Sequence, residues 1–313
     1  MDDRSSGAHR AGDASSGNGD LRRGTLAGAL CYVVWGLLPL YWKLLDEVNP
    51  FEITCHRIIW CFAVMVLVCV LLRQDFASLL RQKRTWRYLG PAALLITFNW
   101  TLYIYAVSID CIVETALGYY INPLVSILLG VVAFRERLTP LQIVATVLCT
   151  GGILFFTASY GQFPWISLLL AVTFGAYGAV KKAAGYPATQ ALAVESSMLV
   201  IPAALTALVL AGVTGGHGFL GNVQTAHGWT ITVLLVIAGP MTALPLVLFG
   251  KAATSIPLTL LGFLQYISPT IALLIGVFVN GEPFTLAHAM CFGCIWTGLA
   301  LVGYESVAKS RSK

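Results

Sequence analysis

Long apolar stretches run along this chain, separated by short polar or charged punctuation. They fall at approximately residues 26–43, 53–72, 88–108, 112–134, 141–158, 165–182, 188–211, 229–249, 256–279 and 285–303. About 20 apolar residues in a helix cross the hydrocarbon core of a bilayer. Each stretch must be helical, because lipid offers the backbone no hydrogen-bond partner. A transmembrane barrel would show weaker, alternating segments instead. The expected fold is an all-α integral membrane protein with ten transmembrane helices.

A second pattern lies within the first. The stretch YYINPLVSILLGVVAFRERLT, residues 119–139, has a near copy in QYISPTIALLIGVFVNGEPFT, residues 265–285. Tyr120, Ile121, Pro123, Leu128, Gly130, Val131, Glu136 and Thr139 stand opposite Tyr266, Ile267, Pro269, Leu274, Gly276, Val277, Glu282 and Thr285. Every pair is 146 residues apart, and Gly152 and Gly298 keep the register. Chance apolar similarity would not hold prolines, glycines, glutamates and threonines in one register, so the chain reads as two related halves. Each half has five spans, an odd number, so the second enters the membrane in the opposite sense to the first. The expectation is two inverted five-helix repeats, residues 24–158 and 159–305. They are flanked by a disordered cytoplasmic tail, 1–23, and a cytoplasmic C-terminal tail, 306–313. Inverted repeats are the architecture of many carriers, whose two halves exchange roles around a shared site. Pro123 and Pro269 bend their helices, and Gly130 and Gly276 let neighbours approach closely.

Composition agrees. Of 313 residues, 58% are hydrophobic and 11% charged, against about 25% charged in soluble domains. All but two of the 19 Lys and Arg residues fall in segments on one side of the ten-span layout. The exceptions are Lys43, at the end of the first span, and Arg57, inside the second. Basic loops stay cytoplasmic, which places both termini inside and the protein in the cytoplasmic membrane as a multi-pass chain. The net charge of +5 is thereby a topology signal and argues for no nucleic-acid partner. No small-residue cleavage site follows the first apolar run, so no signal peptide is expected. Arg22-Arg23 reads as an anchor before the first span rather than a twin-arginine signal. The eight cysteines fall mostly mid-span and read as small packing residues. Cys55 and Cys111 both sit near the outer face, where a disulfide is geometrically open. The five histidines are scattered, and no metal or cofactor site is expected.

Ionisable groups at bilayer depth mark function by default. His56 and Arg57 lie near the outer end of the second span, with Lys43 on the same side. Glu114 begins the fourth span, and Glu195 lies inside the seventh. Glu114, Gly118, Asn122 and Ser126 recur every four residues and form one polar, small-residue stripe. Asn99 and Tyr103 share a face of the third span, and Gln265, Tyr266 and Ser268 bring polar groups to mid-span in the second half. Two readings stand side by side. In one, these groups converge on a transport cavity, with Trp35 and Trp100 among its deep aromatics. In the other, Arg57 and Glu114 form a buried salt bridge with nothing transported between them.

The segments YVVWGLLPLYWK (32–43), HRIIW (56–60), NWTLYIYAV (99–107), ETALGYYINPLVSILLG (114–130), RERL (135–138) and LGFLQYISP (261–269) carry a resemblance. Together they resemble the RarD group of EamA-type transporters in the drug/metabolite transporter superfamily, from about residue 24 to 305. The resemblance implies a ten-helix bundle of two inverted repeats. Its cavity would lie among spans 1–4 and 6–9, with spans 5 and 10 as scaffold, and its members export small metabolites by proton coupling or exchange. It carries over to Trp35, Lys43, His56, Arg57, Asn99, Trp100, Glu114, Tyr120, Asn122, Gln265 and Tyr266.

The sequence thus points to a secondary carrier in a lipid bilayer. No phosphate-binding loop of the G-x-x-x-x-G-K-[ST] type occurs in it, so energy comes from a gradient or exchange. His56, Glu114 or Glu195 are the candidate proton carriers. Lys43, His56 and Arg57 favour an anionic or zwitterionic small-molecule substrate. A homodimer is compatible with this reading. An intramembrane enzyme would call for a G-x-S-x-G elbow, an H-E-x-x-H motif or clustered aspartates, and the sequence contains none. A passive scaffold would not call for the inverted repeat.

Overall fold

The computed structural model describes residues 5–109, 111–161, 163–213, 218–221, 224–279, 281 and 284–311. Among the described residues there are helices and no strands. They are α1 (Ser5–Trp42), α2 (Pro50–Leu71), the single turn α3 (Ala77–Leu80), α4 (Lys83–Ser108), α5 (Ile112–Phe134) and α6 (Pro140–Tyr160). After these come α7 (Trp165–Ala184), α8 (Ala188–Val213), α9 (Ala226–Ser255), α10 (Leu258–Gln265), α11 (Ile267–Phe278) and α12 (Leu286–Arg311). A 3-10 turn, Lys43–Leu45, follows α1. Nine spans among the described residues are long and apolar enough to cross a membrane. The polar α4, with Lys83, Arg84, Arg87, Asn99 and three tyrosines, makes the tenth. The protein is an all-α membrane protein of about ten spans, and aliphatic side chains such as Leu71, Leu94 and Val147 stand exposed on its outer surface.

The ninth span is broken where the sequence predicts one continuous helix. α10 ends at Gln265 and α11 starts at Ile267. Pro269 contributes: it has no N–H for the Gln265 carbonyl four residues back, and its ring crowds that carbonyl. Its register mate Pro123 sits inside an unbroken α5.

The packing follows the repeat. Exchanging α1 with α7, α2 with α8, α4 with α9, α5 with α10–α11 and α6 with α12 turns each major contact into another observed one. The contact of α1 with α9 becomes that of α7 with α4, and that of α5 with α7 becomes that of α11 with α1. The pairs α2–α8, α5–α10 and α6–α12 map onto themselves. Atoms agree with this exchange. A Cβ on Gly152 would lie 3.1 Å from the Cys291 carbonyl oxygen, and one on Gly298 would lie 3.2 Å from that of Ala145, its mate in the 146-residue register. Equivalent spans run antiparallel: Gly130 meets Thr259 while Gly262 meets Pro123 and Ile127. The repeated threonines have a structural task too. Thr139 accepts the Gln142 N–H at the start of α6 (3.2 Å), and Thr285 accepts that of His288 at the start of α12 (3.4 Å). Such caps satisfy backbone donors that helix starts leave free.

All eight cysteines are free, Cys55 and Cys111 included. Cys149 and Cys291 are fully buried where α6 packs on α12. Trp86, Trp165 and Trp229 are about half exposed, as expected of rings at the ends of spans. Glu282, expected as the mate of Glu136, lies outside the described residues, as does His217.

Candidate functional site

Between the two halves lies a cavity of about 460 Å³, walled by α1, α2, α4, α5, α7, α9, α10 and α11. Ligand pockets typically occupy about 300–1,000 Å³. Its mouth is ringed by Trp42, Asp46, Val48 and Pro50, at the junction of α1 and α2. Its wall is aromatic and its depth polar. Trp35 is held by Tyr32 (5.5 Å between ring centres), Phe174 (5.5 Å) and Phe249 (5.8 Å). Asn122 and Gln265 line the deep end. The Gln265 amide donates to Ser126 Oγ at 2.9 Å, which ties α10 to α5. The Asn122 Oδ1 is buried without a hydrogen-bond partner among the described residues.

The charged centre of the cavity is Arg57. Its guanidinium carbon lies 4.8 Å from the Trp42 ring centre and 4.7 Å from that of Trp100, so indoles flank it. Its Nε donates to Thr242 Oγ1 at 3.1 Å. Among the described residues no carboxylate lies within ion-pair distance of it.

Trp35, Arg57, Asn99, Trp100, Tyr103, Tyr120, Asn122 and Gln265 line this cavity, as do Gly118, Ser268 and Pro269. The remaining residues singled out from the sequence lie elsewhere. Glu114 does not pair with Arg57. It is buried at the start of α5, and its Oε2 accepts the Ile166 N–H at 3.0 Å, capping α7. A carboxylate at a helix N-terminus satisfies orphan donors and meets the favourable end of the dipole. The buried salt bridge expected between Arg57 and Glu114 is therefore not formed. Gly118, of the same stripe, touches the cavity but also packs against Leu170 and Ser167 of α7. His56 is buried, accepts from Trp60 Nε1 at 3.2 Å, and packs on Phe219 with ring centres 4.5 Å apart. Lys43 is exposed on the 3-10 turn. Tyr266 is fully buried in the cluster between α5, α6 and α12. Pro123 and Gly130 form the α5–α10 contact, and Gly276 is buried in α11.

Glu195 has a partner the sequence assigned elsewhere. Lys181, counted among the basic residues of a cytoplasmic loop, is instead 3% exposed, with its Nζ 2.7 Å from Glu195 Oε1. The Tyr177 hydroxyl donates to the other carboxylate oxygen at 3.1 Å. Burying the lysine alone would be prohibitive, and the carboxylate is what allows it. Trp100 and Leu246 line both the main cavity and a space of about 20 Å³ that reaches Glu195, and so stand between the two.

Other residues of the site escape sequence reading. Glu136, at the end of α5, accepts the N–H groups of Leu258 (2.7 Å) and Thr259 (2.8 Å), the first turn of α10. Lys182 Nζ lies 3.4 Å from the same carboxylate and donates to the Ile256 carbonyl at 2.6 Å. This cluster closes the bundle at the end opposite the cavity mouth. Buried Glu52 accepts the Phe219 N–H at 2.8 Å and fastens the α8–α9 connection over α2. The only sequence signal for Glu136 was its place in the repeat, and Glu52 gave none.

Residues 22–158 match the model of the EamA-like transporter family. The chain is 41% identical to the uncharacterized transporter YojE of Bacillus subtilis, over 94% of this chain and 97% of that one. It is 38% identical to the protein RarD of Streptomyces exfoliatus, over 93% of this chain and 91% of the relative. With the protein RarD of Escherichia coli it shares 35%, over 93% and 97%. One solved crystal structure superposes with a TM-score of 0.68 at 20% identity, over 89% of this chain and 96% of that one, which shows a shared fold.

Proposed function

The chain belongs to the RarD group of the EamA-like transporter family, within the drug/metabolite transporter superfamily, and on that premise we propose that this membrane transporter exports a small metabolite or drug-like solute by alternating access. Proton antiport or exchange supplies the energy, and the protein works in the cytoplasmic membrane with both termini inside. Nothing in this reading calls for an enzymatic step. An anionic or zwitterionic cargo suits Arg57.

One observation carries the proposal. At the closed end, Gly262 of α10 lies against the Pro123 carbonyl oxygen and Ile127 of α5. In the 146-residue register the mates of Gly262 and Pro123 are Ala116 and Pro269. Both line the cavity, and α5 barely touches α11. The same pair of surfaces is thus shut in one half and parted in the other. Exchanging the two arrangements closes the present mouth and opens a path at the opposite end. This is the behaviour expected of two inverted units with nearly equal energies in either pose. The latch of Glu136 and Lys182 lies on the basic face and the mouth on the face poor in Arg and Lys, so the positive-inside rule makes this the outward-open pose.

Comparative metabolite profiling of cells lacking and overproducing the protein tests this. One or more solutes should accumulate inside the deletion strain and in the medium of the overproducer. Liposomes holding that solute should then lose it faster when a pH gradient or an exchangeable solute is imposed. Chemical conversion of the solute without movement, or identical profiles in all strains, would overturn the reading.

A further inference from the structure

We infer that the carrier's cargo bears a carboxylate that docks on Arg57 between Trp42 and Trp100, with an apolar body lying against Trp35 and Phe174. The inference rests on the transporter reading above and sharpens it.

A guanidinium has five N–H donors in a planar fork. In this structure only Nε is engaged, with Thr242. The terminal nitrogens have no hydrogen bond to a described residue, and no described carboxylate balances the charge. Elsewhere in the bundle a buried cation has its counter-ion, as Lys181 has Glu195. Arg57 is the exception, and among the described residues it is the one Arg or Lys that lines the cavity.

The surroundings select the anion. Trp42 and Trp100 sit at 4.8 and 4.7 Å from the guanidinium carbon. They cover its surroundings with apolar ring surface and leave in-plane donation open. A planar carboxylate meets that fork with two parallel hydrogen bonds, and in a site of low dielectric such bonds are strong. A phosphate dianion would bring a second charge and a third oxygen with no further cation to receive them. Among the described residues the only carboxylate lining the cavity is exposed Asp46 at the mouth, which disfavours multiply charged anions on entry. Beyond Arg57 the wall is Trp35 and Phe174, packed edge-on at 5.5 Å, and they offer apolar surface. A monocarboxylate with an aromatic or apolar body satisfies every one of these groups.

The test uses purified full-length protein and 3-phenylpropionate, its primary amide, 3-phenylpropylamine and phenyl phosphate as probes. Binding is read by protection of Thr54→Cys, at the cavity wall, from maleimide. The carboxylate should protect at concentrations at least about tenfold lower than the amide, as a charge-assisted bidentate pair implies. Arg57→Gln should abolish that preference by weakening the carboxylate far more than the amide, and Arg57→Lys should restore part of it. Equal protection by acid and amide, best protection by the amine or the phosphate, no saturable protection by any probe, or a preference that survives Arg57→Gln would each overturn the inference. The transporter reading is judged separately, by the movement of the profiled solute. It stands if that solute moves while the carboxylate preference is absent.

Discussion

Replacing Glu195 with alanine should cost about 3–5 kcal/mol, because it strands the Lys181 ammonium inside the bundle. Lys181 and Glu195 are 3% and 2% exposed and 2.7 Å apart. Lys181→Ala should do comparable harm by stranding the carboxylate. The double variant Lys181→Met, Glu195→Gln removes both charges and keeps most of the volume. It should recover stability to within about 2 kcal/mol of the parent, since a buried ion pair is seldom better than a well-packed neutral one. The measurement is membrane abundance together with the melting temperature in detergent. Full stability of the single variants, with flux lost, would place the pair on the transport path instead of in the scaffold.

The second large effect concerns the latch. Glu136→Ala leaves the first N–H groups of α10 without their acceptor and the Lys182 ammonium without its counter-ion. Hydrogen bonds to a charged group contribute about 1.5–3 kcal/mol each, so even one of them shifts the two-pose equilibrium about tenfold or more. A cysteine at Ile127, which is 2% exposed in the α5–α10 contact, should react with maleimide at least about tenfold faster in the Glu136→Ala background. Glu136→Gln, which keeps one acceptor oxygen, should fall between. Unchanged labelling would mean that the carboxylate does not hold this end shut. Gly130 belongs to the same device: a Cβ there would lie 2.6 Å from Glu136 Oε2, so a larger residue displaces the latch.

Much of the fold is legible in the sequence, and the reason is solvation. Lipid forces every crossing segment to be long, apolar and helical, so the ten spans follow from hydropathy. The 146-residue register exposes the repeat, and the structure shows what the repeated residues do: threonines cap α6 and α12, and glycines bring α6 and α12 within contact. Side-chain partners are harder to read. In a membrane bundle both the lipid face and the interior are apolar, so no amphipathic stripe tells which way a helix is turned. Glu114 therefore reads as a wall of the cavity when it caps α7, and Lys181 reads as a loop charge when it lies inside. Trp42, at the very end of α1, flanks Arg57 at the mouth. The break at Tyr266 was hidden for another reason: Pro123, at the matching place, leaves α5 whole, so the proline alone does not decide.

In the proposed mechanism two inverted halves trade one closed end for the other. Pulsed electron resonance between paired spin labels tests it most directly. One pair, on Asp46 and Tyr119, which both line the cavity, reports on the mouth, and the other, on Arg137 and Lys251, reports on the latch end; all four side chains are exposed. Each pair should show two distances, with the long one at the mouth accompanying the short one at the latch. Glu136→Ala should shift both populations together, towards a narrow mouth and a wide latch end. A single fixed distance at both ends, or two ends that widen and narrow in step, would contradict the account.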